Sequence, residues 1–224
     1  MNNKVKLSKR QIKEDKFTAF MLNGKQYATD NWQFIVIGLA ILILIVSSIV
    51  YYTNSLQEKS LEASTQFARA TSEYRSGNIQ VAKLSFSQIL DDFGDSDFAG
   101  KATFMLGKLN LESRNYVEAT TYFESYLAKY KEDKLHRISS LAGLGTILEN
   151  QGQFEQAAEK FVAAYDEYPE SPLSGDYLNR ALMNFMQFGD NEKAKEILNR
   201  IEDKFPGTDL LNKALIAYRE KGLK

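Results

Sequence analysis

Few residues in this chain could do chemistry, and their spacing argues against most of it. His136 is the sole histidine, set between Leu135 and Arg137, and there is no cysteine. A zinc site needs three or four nitrogen, sulfur or carboxylate ligands at defined spacing, so a typical zinc centre is not expected. His136 reads as a surface or satisfied structural histidine. Without a thiol there is no thiolate catalysis, no disulfide and no lipid attachment through an N-terminal cysteine. The acidic cluster Asp91, Asp92, Asp95 and Asp97 lacks the spacing and terminal glutamate of a calcium loop and reads as an acidic loop between helices. Asp92-Phe93-Gly94 matches a kinase tripeptide by letters only, because no glycine-rich loop, strand lysine or catalytic-loop motif accompanies it. No phosphate-cradling glycine loop occurs. No convergent nucleophile, base or metal set is found, so the expectation is a non-enzymatic protein with no metal, no cofactor and no small-molecule substrate.

The elements that would hold any site begin with an uncharged run from Asn31 to Gln57. From Trp32 to Tyr52 it comprises 21 residues, about 31 Å as a helix at ~1.5 Å per residue. That matches the ~30 Å hydrocarbon core of a bilayer. Trp32 at one end and Tyr51 and Tyr52 at the other suit the two membrane–water interfaces. Residues 32–52 are therefore read as an uncleaved transmembrane signal anchor. The apolar stretch exceeds the ~7–15 residues of a cleaved signal, and no small-x-small site follows it. Residues 1–31 carry seven basic and three acidic residues, leaving 21 basic and 26 acidic of the totals of 28 and 29. The positive-inside bias then keeps the 1–31 tail in the cytoplasm and sends the rest across. Within the tail Ile12, Lys16, Phe17, Phe20 and Met21 fall at helical spacings, with Lys9, Arg10 and Lys13 around them. Two readings stand, a helix lying on an anionic leaflet and a solvated tail that sets topology. Asn23-Gly24 signals a turn ahead of the span.

Beyond the span, residues 53–224 repeat. The pattern is glycine or an equivalent, an aromatic or apolar residue two on, alanine five on and a large apolar residue nine on. It occurs at Gly77, Ile79, Ala82, Phe86; at Arg114, Tyr116, Ala119, Phe123; at Gly152, Phe154, Ala157, Phe161; and at Gly189, Asn191, Ala194, Leu198. Recurrence over 20–50 residues marks a stacked array. Glycine supplies a positive φ between paired helices, alanine lets them approach, and the aromatic fills the groove beside the partner helix. Leu106-Gly107 and Leu144-Gly145 mark the first helices upstream. Pro169 and Pro206, after Tyr168 and Phe205, close the third and fourth units. Tyr130-Lys131-Glu132-Asp133 closes the second without a proline. The expectation is an all-α solenoid of about four helical hairpins, spanning 63–95, 98–131, 138–170 and 175–207, with a capping helix over 208–222.

These residues resemble tetratricopeptide-type repeats in a variant with a longer period than the common 34 residues. The layout of basic tail, single span and four repeats resembles the YfgM-like family, the ancillary subunit of the SecYEG translocon. That family is close to the repeat domains of the cell-division coordinator and outer-membrane assembly lipoproteins. The resemblance implies a membrane-tethered scaffold in the bacterial inner membrane, with its repeats in the periplasm and the Sec translocon or periplasmic chaperones as partners. The alternative it leaves open is a coordinator of envelope assembly or cell division. The acidic translocated part argues against nucleic acid.

In stacked hairpins the first helices line a concave face whose non-packing positions are free to meet a ligand. Counted from the repeat register, those positions are Phe67, Thr71 and Tyr74, then Lys101, Phe104, Lys108 and Leu111. The third unit gives Ala142, Thr146, Glu149 and Asn150, and the fourth Asp176, Asn179, Met183 and Met186. Aromatic and methionine groups suit apolar peptide segments.

Overall fold

Apolar residues recur at helical spacing along the whole chain, and in the computed structural model every element from Trp32 onward is a helix. The structure describes residues 18, 20, 21, 23, 25–27 and 29–223. The amphipathic reading of the tail on Lys9, Arg10, Ile12, Lys13, Lys16 and Phe17 lies outside them. Asn23 is helical rather than in a turn, and Gly24 is outside the described residues. The helices are α1 (Trp32–Arg75), α2 (Ile79–Asp92), α3 (Asp97–Glu112), α4 (Tyr116–Lys129), α5 (Lys134–Asn150), α6 (Phe154–Glu167), α7 (Ser174–Phe188), α8 (Asn191–Lys204) and α9 (Asp209–Glu220).

The chain divides into two compact units, Met1–Glu58 and Lys59–Lys224. In the first, the apolar part of α1 is exposed throughout and is long and apolar enough to cross a membrane. No charged or large polar group interrupts residues 34–46. The Ser48 hydroxyl beyond them is satisfied by donating to the Leu44 carbonyl at 2.8 Å. Internal satisfaction of this kind is what a hydrocarbon environment requires.

In the second unit the helices from α2 onward each pack on the next, α3 also meets α5, and α9 packs on α7 and α8. The turn within each hairpin repeats one hydrogen bond. Asn78 N–H reaches Glu73 O at 2.9 Å, Asn115 N–H reaches Asn110 O at 2.8 Å, Gln153 N–H reaches Leu148 O at 2.9 Å and Asp190 N–H reaches Phe185 O at 3.0 Å. This six-to-one closure needs a left-handed residue just before the donor. Gly77, Gly152 and Gly189 supply it with φ of 83°, 76° and 94°, and in the second hairpin Arg114 takes φ 61°. The register expected from the sequence is therefore met, with the left-handed penalty carried by an arginine in one unit.

The four expected alanines, Ala82, Ala119, Ala157 and Ala194, are fully buried. Phe86, Phe123, Phe161 and Leu198, four residues later, are buried beside them. The core falls into three clusters. One joins Ala70, Phe86 and Leu106; a second joins Phe123, Leu144 and Ile147; the third runs from Ile138 through Phe161 and Leu182 to Tyr218 in α9. Close helix approach is keyed by glycine at two positions in particular. A Cβ on Gly107 would lie 2.7 Å from the Phe123 ring, and one on Gly143 would lie 2.5 Å from the opposite side of the same ring.

Candidate protein-binding surface

The sequence-selected positions fall into two groups, one around Tyr74 and one around Glu149. In the first, the Tyr74 hydroxyl donates to Glu112 at 3.0 Å. The Lys108 ammonium sits 5.3 Å above the Tyr74 ring and 3.9 Å from the Glu112 carboxylate. In the second, Arg180 donates to Thr146 Oγ1 at 2.8 Å, pairs with Glu149 and lies 4.1 Å over the Phe161 ring. Glu112 and Arg180 were not among the expected residues. The signal for Arg180 lay in the repeat itself, because Met105, Gly143 and Arg180 occupy one register position in successive hairpins. The Arg180–Glu149 side chains are each more than a third exposed, so the pair contributes at most ~1 kcal/mol and serves mainly to set orientation.

Other expected positions are occupied by packing. The Phe67 ring stands 5.4 Å from Phe86 and 5.7 Å from Phe98. Phe104 packs edge-on at 4.5 Å to His136 and about equally close, 6.1 and 6.0 Å, to Phe123 and Tyr126. Leu111 packs against the cluster of Phe123 and Leu144. Met183 is half-buried against the third cluster. Met186 and Ala142, at 6% and 8% exposed, belong to that core and are corrected from surface to packing residues. Both lie on the side of their helix that meets a neighbouring helix rather than solvent. The Thr71 hydroxyl bonds its own helix at Phe67 O, 2.8 Å away. Lys101, Asn150 and Asp176 are exposed. Asn179 is half-buried, and its side-chain oxygen is buried without a partner among the described residues.

His136 is a satisfied structural histidine. Its Nδ1 lies 2.5 Å from Asp133 Oδ2, while the other carboxylate oxygen accepts the His136 backbone N–H and caps α5. Burial resists ionisation of Asp133, but the hydrogen bonds from His136 outweigh it and hold the carboxyl below its ordinary range. Burial, reinforced by the charge of Asp133, pushes the Tyr126 phenol up to about 12, so it stays neutral. Where the second junction lacks a proline, Arg137 takes over. It donates to the carbonyls of Leu127 and Tyr130 at 3.0 and 3.2 Å and pairs with Glu167. Among the described residues no three His, Asp or Glu side chains converge as metal ligands. Asp91, Asp92, Asp95 and Asp97 lie exposed around the loop between α2 and α3.

Comparison with known proteins adds the following. The family described as tetratricopeptide repeat-like domain matches residues 25–169, and the tetratricopeptide repeat family matches residues 143–209. No curated protein sequence gives a significant match. Among solved structures, YrrB, described as a TPR protein with an unusual peptide-binding site, is 22% identical with a TM-score of 0.53, over 70% of this chain and 74% of its own. Pseudomonas aeruginosa PilF is 17% identical with a TM-score of 0.53, over 72% and 71% of the two chains. The kinesin light chain repeats attributed to Podospora anserina are also 17% identical, with a TM-score of 0.55 over 70% and 85%. At these identities the likeness establishes the fold. The helical hairpins, the recurrent left-handed closure and a family match extending over more than half of its residues agree: this chain belongs to the tetratricopeptide repeat-like domain family.

Proposed function

We propose that this protein is a non-enzymatic scaffold, tethered to the bacterial inner membrane by α1, whose repeats hold protein partners beside the bilayer. Repeats of this family characteristically present extended surfaces to other proteins. The observation that carries the tethering is the fully exposed apolar stretch of α1, which in water would present far more contiguous apolar surface than a soluble protein tolerates. The excess of basic residues in 1–31 supports a cytoplasmic tail and periplasmic repeats. The basic tail, single span and four hairpins of the YfgM-like family support the Sec translocon or a periplasmic chaperone as partner. Binding is assigned to the surface bearing Tyr74, Lys101, Lys108, Thr146, Glu149, Asn150, Asp176 and Asn179.

Two measurements test this. Protease added to spheroplasts is expected to digest the repeats and spare the tail; protected repeats would reverse the topology. Crosslinking in cells followed by co-purification is expected to recover the Sec channel or a chaperone. Recovery of wall-synthesis or division proteins instead would transfer the scaffold to envelope assembly.

A further inference from the structure

We draw no further inference here: the strongest candidate, the surface patch of exposed Val81 and Leu84 on α2 and Val117 on α4, carries nothing because nothing in the structure shows what covers it.

Discussion

The Phe123 ring stands between Gly107 of α3 and Gly143 of α5, and replacing Gly143 with alanine perturbs that arrangement at one atom. The added Cβ would lie 2.5, 2.7 and 3.1 Å from Cε2, Cζ and Cδ2 of the ring, well inside ordinary contact. The ring has little room to retreat, since the Gly107 side is itself too tight for a Cβ, at 2.7 Å. Overpacking of this kind costs ~1–3 kcal/mol. Glycine to alanine within a helix returns ~1 kcal/mol. Gly143→Ala is thus expected to destabilise the repeats by up to about 2 kcal/mol. In a Phe123→Leu background the clash is gone while the helical gain persists, so the same change becomes neutral or stabilising. Urea unfolding of the four proteins in detergent, followed by far-ultraviolet circular dichroism, should then yield a coupling energy of about 1–3 kcal/mol. A Gly143→Ala variant that stabilises equally in both backgrounds would refute the reasoning and show that α5 approaches α4 less closely.

Further outcomes follow from the same structure. Arg114→Gly removes a left-handed penalty of ~1–2 kcal/mol and adds ~0.5–1 kcal/mol of unfolded-chain entropy, so a net gain of about 0.5–1 kcal/mol is expected by denaturant titration, whereas Gly152→Val should lose stability. The Arg137 hydrogen bond and charge hold the Glu167 carboxyl below its ordinary value against the opposing effect of burial; its contribution is complete above the unfolded carboxylate pKa and vanishes as pH falls through the lower folded one, so Glu167→Gln should flatten the acid limb of a melting-temperature profile below about pH 4.5. Phe104→Ala should cost about 2 kcal/mol because its ring packs on Phe123, Tyr126 and His136, while Tyr74→Phe should leave the melting curve nearly unchanged and affect partner recovery alone; a Phe104→Ala protein that melts normally would return Phe104 to the surface.

The sequence made the hairpins legible because their packing residues are chemically distinctive. Alanine five residues after a left-handed turn and an aromatic four later leave few other folds, and Ala82, Ala119, Ala157 and Ala194 lie fully buried as that pattern requires. The surface was harder to read, since its residues are defined by partners one hairpin away. Thr146 and Glu149 look like free polar groups until Arg180, more than 30 residues on, is placed against both. Gly143 looks like a neighbour of the signature Gly145 until the Phe123 ring is seen beside it. Phe104 and Met186 occupy register positions that face a ligand in a regular array, but here neighbouring rings and helices claim them.

The position shared by Met105, Gly143 and Arg180 bears on whether these hairpins can be exchanged. Each is the place where an incoming first helix meets the aromatic of the hairpin before it: Met105 on the cluster of Phe86, Gly143 on Phe123, Arg180 on Phe161. The three contacts are a methionine packed against the cluster that holds Phe86, a bare backbone against a ring, and a guanidinium over a ring face. Each junction is thus a lock cut for a single key. Moving the fourth hairpin to follow the second would drive a guanidinium at a ring that accepts only hydrogen, and moving the third to follow the first would remove the methionine side chain that packs on the Phe86 cluster. Duplication, deletion or shuffling of units, which a chain of equivalent modules tolerates, costs stability here unless the facing residue changes with the unit. The order of these hairpins is therefore part of what the sequence encodes.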